Sequence, residues 1–246
     1  MNIRLTIEYD GTSYHGWQIQ KNGVTVQETI QSALKKITGE DISVVGCGRT
    51  DSGVHALNYV CSFRTESSVP PERFTQALNS KLPSDIRCKS SSEAAEDFHA
   101  SNSATAKTYI YRILNSGEAG AFERNYAWHF KYPLDIEKMR TAAKAFVGEH
   151  DFIGFAAAGF TVKTTVRTIY SLEIYRSGDI ITIEITGNGF LYNMVRIIAG
   201  TLVMMGCGRL DYRAAEEIIK SKDRTRAGIT APAKGLFLKE VYYGGR

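Results

Sequence analysis

The order of predicted helices and strands repeats once along this 246-residue chain, and this repeat constrains the fold more than any other feature. In the first hundred residues, hydrophobic periodicity predicts strand 3–9, helix 26–37, strand 42–47, strand 57–64, helix 71–79 and strand 85–92. The second half predicts strand 108–114, a helix over 136–147, strands 165–176 and 180–186, helices 190–205 and 211–221, and strand 236–242. This βαββαβ order, present twice with one further helix in the second half, is typical of tandem ferredoxin-like halves, each an antiparallel sheet with helices on one face.

We therefore predict an α+β protein with two domains, 1–102 and 103–246, that meet in a short polar stretch of small residues. The composition, with 43% hydrophobic and 23% charged residues, is that of an ordinary soluble protein. The N-terminal residues alternate between polar and apolar types and lack the apolar core of a signal peptide. These features predict a cytoplasmic protein with no membrane association.

Charge and cysteine content narrow the possible partners and cofactors. The net charge of +4 is too small to identify a nucleic-acid partner by itself. The four cysteines, Cys47, Cys61, Cys88 and Cys207, lie far apart and lack the spacing of a zinc site, so reduced thiols are expected. No phosphate-binding or dinucleotide-binding glycine pattern occurs. We expect no cofactor and no metal.

A glycine-rich segment between two predicted strands carries a single carboxylate. Residues 46–56 read GCGRTDSGVHA, and their glycines permit sharp turns and the close approach of another molecule. This setting favours Asp51 as a catalytic carboxylate, with Arg49 and His55 close to it in sequence. The same residues also fit a plain hairpin connection in which Asp51 makes an Asx-turn ahead of Gly53.

A charged residue lies inside the most apolar predicted helix, 190–205. Arg196 carries a guanidinium that keeps its proton, and burying it without a partner is costly. One expectation is that Arg196 pairs with a carboxylate from the other half, for which Asp51 is suited. The alternative is that Arg196 lies at the rim of the helix and extends its charged end to water.

Two tyrosines alternate on the strand that opens the second half. Tyr109 and Tyr111 point to the same face of this strand, next to Lys107. Aromatic side chains at alternate strand positions commonly pack in a core. They also suit a platform on which an RNA base stacks, with positive charge beside it for the backbone.

Five segments in order give the chain a resemblance to the tRNA pseudouridine synthase A family. They are Tyr9–Gln18, Gly48–Ala56, Lys107–Tyr111, Met194–Arg196 and Ala231–Leu236. The segment that contains Asp51 resembles the family's catalytic motif and is highly specific. The resemblance covers almost the whole chain.

The resemblance implies a pseudouridine synthase fold, with a cleft between the two halves, and a homodimer. It implies isomerisation of uridines 38, 39 and 40 in the tRNA anticodon stem-loop. Asp51 would be the nucleophile, and Arg196 would be its ion-pair partner. Tyr109, Arg49, His55 and Leu236 would contact the substrate.

Alternative functions remain open at this point. Asp51 can attack either C6 of the uracil or C1′ of the ribose, and the sequence does not choose between them. The chain could also be a related synthase acting at other RNA positions or a non-catalytic RNA-binding module. A hydrolase that releases uracil is a further alternative, although such enzymes usually employ two carboxylates or an activated water.

Overall fold

The expected α+β class is confirmed in the computed structural model, which describes residues 1–159 and 162–244. The strands pair mostly antiparallel. The chain divides into two units: Met1–Thr105 together with the residues from Phe237 onward, and Ala106–Leu236. Within the described residues, no helix has the length and apolar character needed to cross a membrane.

The first unit contains the predicted βαββαβ order. Its elements are β1 (Asn2–Tyr9), α1 (Val26–Thr38), β2 (Val45–Gly46), β3 (His55–Arg64), α2 (Phe74–Asn79) and β4 (Ile86–Glu93). Strand β1 lies between β3 and β4 and pairs antiparallel with both, while β2 pairs with the C-terminal part of β3. The connection from β2 to β3, residues 47–54, contains Asp51.

Local signals define both ends of α1. The Thr25 side chain accepts a hydrogen bond from the backbone N–H of Glu28 at 3.4 Å and caps the N-terminus of the helix. Gly39 ends the helix in the left-handed conformation, with φ of 79°. Because Val26, Ile30 and Leu34 form a buried face, the predicted helix is confirmed to within one residue.

Within the described residues, the second unit contains five strands and three α-helices. Its elements are β5 (Ala104–Leu114, which leads in from the first unit), β6 (Trp128–His129), α3 (Ile136–Ala143), β7 (Gly148–Asp151), β8 (Val166–Ser177), β9 (Ile180–Gly187), α4 (Met194–Gly206) and α5 (Ala215–Ser221). Strand β9 lies between β5 and β8, and β7 pairs with β8, all antiparallel. The short strand β6 pairs in parallel with β5.

Helix α4 is the predicted core helix, and every residue of it except Arg196 is buried. Two glycines allow the segment before the last strand to pack directly against it. A Cβ at Gly200 would overlap the carbonyl of Ile229, and one at Gly228 would lie 2.6 Å from Thr201 Cα. The backbone N–H of Gly228 also donates to Thr201 Oγ1 at 2.9 Å. Residues 228–231 are therefore fixed along α4.

The last strand, β10 (Leu236–Tyr243), belongs to the first unit from Phe237 onward. It pairs in parallel with β3, where Phe237 faces His55 and Leu238 faces Ala56. This arrangement differs from the expected domain limits of 1–102 and 103–246. Hydrogen bonding to β3 is the physical reason, because it joins two segments that are far apart in sequence.

Candidate functional site

Asp51 begins a tight turn in the connection between β2 and β3. The backbone N–H of Val54 donates to the Asp51 carbonyl at 3.1 Å, and Gly53 adopts φ of 77°. The Asp51 side chain is half-buried. The connection between β2 and β3 is a hairpin, and Asp51 lies at the start of its turn. An Asx-turn made by the Asp51 side chain stays a prediction.

The segment after β1 fixes the backbone of this turn from one side. The Thr50 carbonyl accepts a hydrogen bond from the Trp17 N–H at 3.1 Å. The Tyr14 carbonyl accepts from the Gly53 N–H at 3.3 Å and from the Ser52 hydroxyl at 3.2 Å. These bonds hold the residues on both sides of Asp51 with little freedom to shift.

Two glycines make this close backbone approach possible. A Cβ added to Gly11 would overlap the Val54 carbonyl, and one added to Gly16 would overlap the Thr50 carbonyl. Gly16 also has φ of 83°, in the left-handed region that favours glycine. The two glycines therefore set the distance between the segment 11–17 and the Asp51 turn.

Two buried tyrosines form hydrogen bonds with residues that precede Asp51 in this connection. The Tyr9 hydroxyl and Thr50 Oγ1 are 2.8 Å apart in a buried hydrogen bond. Tyr59 is fully buried, stacks on Trp17 with ring centroids 4.1 Å apart, and donates its hydroxyl to the Gly48 carbonyl. Burial raises the pKa of Tyr59 well above its usual value, so the hydroxyl remains a donor.

His55 lies at the start of β3 and is 1% exposed. Its Nδ1 accepts a hydrogen bond from the Gly11 N–H at 3.0 Å, and Asp10 Oδ1 lies 3.1 Å from the same nitrogen. The ring stacks on Phe237 with centroids 4.6 Å apart.

Arg49 differs from its neighbours in being exposed. Its side chain forms no hydrogen bond or ion pair within the part of the chain that the structure describes. A guanidinium in this position is accessible to phosphate oxygens.

Arg196 is half-buried near the N-terminus of α4. Its Nε donates to the Ala231 carbonyl at 2.7 Å, and its Nη1 donates to Asn193 Oδ1 at 2.7 Å. The predicted ion pair with Asp51 stays a prediction. Asn193 and Ala231 were not anticipated from the sequence as partners of this arginine, although Ala231 begins one of the segments that carry the family resemblance and Asn193 directly precedes another.

The two tyrosines of β5 have different surroundings. Tyr111 is fully buried, and its hydroxyl donates to the Pro232 carbonyl at 2.7 Å. Burial raises the pKa of Tyr111, and the positive charge of Arg196 opposes part of that rise. Tyr109 is only half-buried and meets Phe190 edge to face, with centroids 5.2 Å apart. Core packing therefore describes Tyr111, whereas Tyr109 has an accessible part.

Two further observations concern the burial of Leu236 and possible metal-binding groups. Leu236, the first residue of β10, is 6% exposed. Among residues 1–159 and 162–244, no group of three or more His, Cys, Asp and Glu side chains is arranged to hold a metal ion.

Two comparisons with known proteins identify the same family, and the matches cover almost the whole chain. Residues 5–101 and 142–244 match the family model described as tRNA pseudouridine synthase. The tRNA pseudouridine synthase A of Ruminiclostridium cellulolyticum is 54% identical over 98% of this chain and 99% of the relative. The protein of the same name from Thermoanaerobacter sp. strain X514 is 51% identical over the same shares. Asp51 and Arg196 lie within the matched residues, and Tyr109 lies between the two ranges.

Proposed function

Because the chain belongs to the tRNA pseudouridine synthase family, and is thus an isomerase that makes pseudouridine in tRNA, we propose that it modifies uridines 38, 39 and 40 of the anticodon stem-loop. The family resemblance supports these positions. The observation that carries the catalytic assignment is the position of Asp51 at the start of a turn whose backbone is fixed on both sides.

The reaction rearranges the substrate and adds no atoms from a second substrate. The bond between uracil N1 and ribose C1′ breaks, and a bond between C5 and C1′ forms. The hydrogen on C5 is released to solvent as N1 takes up a proton. Nothing is oxidised or reduced, so the protein must supply positioning, a carboxylate and a place for the detached base to turn.

The target nucleotide must leave the helical stem before this chemistry begins. Extruding a stacked and paired base costs a few kcal/mol, which contacts with the flipped base can offset. Tyr109 suits this role because it is half-buried and meets Phe190 edge to face, which limits the movement of its ring. An aromatic ring with an accessible part can stack on the extruded uracil.

Asp51 is proposed as the nucleophile and Arg196 as its ion-pair partner. The carboxylate attacks either uracil C6 or ribose C1′, and both routes need it fixed and charged as the base detaches. Hydrogen bonds from Arg196 Nε to the Ala231 carbonyl and from Nη1 to Asn193 help to hold the guanidinium in place for this role.

The remaining residues that are predicted to contact the substrate differ in how far their side chains are exposed. Arg49 is exposed and is proposed to bind a tRNA phosphate. Substrate contacts by His55 and Leu236 stay predictions, and the burial of both side chains favours support of the site over direct contact. The family resemblance also supports a cytoplasmic location and a homodimer. Light scattering on the purified protein will check the dimer.

The test is a tRNA transcript that carries tritium at C5 of every uridine. Incubation with the protein should release tritium to water, and chemical mapping should find pseudouridine only at positions 38, 39 and 40. Transcripts with cytidine at these three positions serve as the control and should release none.

Other results would support other functions. Tritium release with pseudouridine elsewhere would indicate a synthase of different specificity. Free uracil would indicate a hydrolase. Saturable tRNA binding without any product would indicate an RNA-binding module.

A further inference from the structure

Asn193 has a backbone conformation that is unfavourable for most residues. It lies just before α4 with φ of 60° and ψ of 6°, in the left-handed region. Only one other non-glycine residue in the described chain, Lys222, has positive φ. Asparagine tolerates this region better than most side chains do, but glycine would adopt it with less strain.

Asn193 also does not act as a helix cap, although asparagine is among the best capping residues. Its side chain makes no hydrogen bond to the backbone N–H groups of the first turn of α4. By contrast, Thr25 caps α1 and Asp135 caps α3 through such bonds. The Asn193 amide oxygen instead accepts from Arg196 Nη1 at 2.7 Å. Helix capping therefore does not account for asparagine at this position, and glycine would meet the backbone requirement with less strain.

The second anchor of Arg196 is fixed by the backbone. The Ala231 N–H donates to the Arg196 carbonyl at 3.1 Å, and the Ala231 carbonyl accepts from Arg196 Nε at 2.7 Å. Residues 228–231 are held along α4 by the close packing of Gly200 and Gly228. The Ala231 carbonyl thus fixes one point of the guanidinium, and rotation about that point is limited by Asn193.

We infer that Asn193 is a positioning residue that sets the direction of the Arg196 guanidinium for the isomerisation. The inference rests on the proposed role of Arg196. A hydrogen bond at Nη1, added to the one at Nε, fixes the plane of the planar guanidinium as well as its position. With this left-handed backbone, the side-chain oxygen of Asn193 lies on the same side of α4 as Arg196, which is three residues further along the chain.

Glycine and alanine substitutions separate this role from a purely structural one. Asn193→Gly removes the oxygen and relieves the backbone strain, whereas Asn193→Ala removes the oxygen and keeps the strain. We expect both variants to lower kcat about ten- to hundredfold, because each loses a charge-assisted hydrogen bond that orients a reacting group. KM for tRNA should change by less than about twofold, since the lost bond does not contact bound tRNA.

Stability should follow a different order from activity. Asn193→Gly should have a higher melting temperature than Asn193→Ala. Lys222→Gly is the matched control, because it changes the other left-handed non-glycine residue in the same unit and should leave kcat unchanged. If the role of Asn193 were only to form the turn, the glycine variant would keep full kcat and only the alanine variant would be impaired.

Arg196→Met separates failure of this inference from failure of the proposed function. If Arg196→Met is inactive while both Asn193 variants keep kcat within about twofold, Asn193 does not position the arginine and the proposed function stands. If Arg196→Met keeps wild-type kcat, the role of Arg196 fails, and the inference fails with it. Equal losses in the two Asn193 variants, with an inactive Arg196→Met, support the inference.

Discussion

The turn that carries Asp51 and the helix that carries Arg196 are held in place by different kinds of contact. Around Asp51, the Thr50 carbonyl, the Gly53 N–H and the Ser52 hydroxyl are hydrogen-bonded to the segment 14–17, and two glycines allow the two segments to touch. Around Arg196, the Asn193 side-chain amide and the Ala231 carbonyl accept hydrogen bonds from the guanidinium itself. The position of the Asp51 turn therefore depends on the fold, whereas the direction of the arginine depends in part on a replaceable side-chain oxygen.

This difference predicts where mutations act. Changes to the support of Asp51 should appear first as lost stability, because they disturb main-chain packing. Changes to the support of Arg196 should appear first as lost kcat. The following predictions test that division, in order of decreasing expected effect.

The largest effect is expected when the Asp51 carboxylate is replaced by an amide of the same shape. Asp51→Asn should lower single-turnover pseudouridine formation by about a thousandfold or more, because it removes the nucleophile. The melting temperature should stay close to that of the wild type, since the turn is held by main-chain bonds. Asp41→Asn is the control: it changes an exposed acid of the same unit and should retain activity. Substantial turnover by Asp51→Asn would remove this residue from the chemistry.

A large loss of stability is expected from Gly16→Ala. The added Cβ would overlap the Thr50 carbonyl, and alanine is strained at φ of 83°. We expect the free energy of unfolding in urea to fall by about 2–4 kcal/mol. Gly39→Ala is a closely matched control, because Gly39 has φ of 79° and nothing within 4 Å of the added Cβ. It should lose only about 1 kcal/mol. Equal losses would show that conformation alone, and not the close approach to the turn, requires Gly16.

Much of the fold could be predicted because its longer elements are specified locally. Helix α1 has a cap at each end and one apolar face, and the alternating Ile181, Ile183 and Ile185 define β9. The strands β6 and β7, with two and four residues, were not predicted because so few residues show no periodicity. The position of β10 beside β3 depends on pairing between residues almost two hundred positions apart, which local patterns do not encode.

The candidate site shows the same limit at the level of side chains. The motif around Asp51 was recognisable because glycines and a carboxylate occur together in a short segment. Helix 190–205 was predicted to begin too early, because Asn193 leaves the helical region just before Met194. A pattern of apolar residues predicts which face is buried, but it does not predict that a single residue adopts the left-handed conformation. The use of Asn193 by Arg196 is a tertiary feature, since it depends on where the guanidinium is anchored by Ala231.

The two tyrosines of β5 test, within a single strand, the distinction between changes that lower kcat and changes that lower stability. Tyr109→Leu should lower kcat by about tenfold or more, because one lost stacking contact with a base is worth about 1–3 kcal/mol. Its stability should change little. Tyr111→Leu should instead lower the free energy of unfolding, since it leaves the Pro232 carbonyl without its donor and opens space in the core. Equal losses of kcat at similar stability would indicate that the substrate contact was assigned to the wrong tyrosine.

The smallest effect is expected at the ion pair formed by Lys222, which is the second non-glycine residue with a left-handed backbone in the described chain. Its ammonium lies 2.8 Å from Asp151 Oδ2, and the Thr165 hydroxyl donates to Oδ1 of the same carboxylate at 2.6 Å. The hydrogen bond from Lys222, followed by that from Thr165, lowers the pKa of Asp151 below its usual 3.8. A carboxyl whose pKa is lower in the folded state stabilises the protein above its unfolded pKa and loses this effect as pH falls through the folded value.

Asp151→Asn should therefore reduce the free energy of unfolding by about 0.5–1 kcal/mol at pH 7, as expected for a partly exposed ion pair. The difference from the wild type should shrink as the pH falls below 3.8 and disappear once Asp151 is protonated in the folded protein. Urea unfolding of both proteins between pH 7 and pH 2.5 measures this difference. The variant should keep wild-type kcat, in contrast to Asn193→Gly, because the ion pair at Lys222 supports a helix end and does not hold Arg196. A loss of kcat in Asp151→Asn at unchanged stability would show that left-handed residues in this unit affect catalysis by a route other than the hydrogen bond to Arg196.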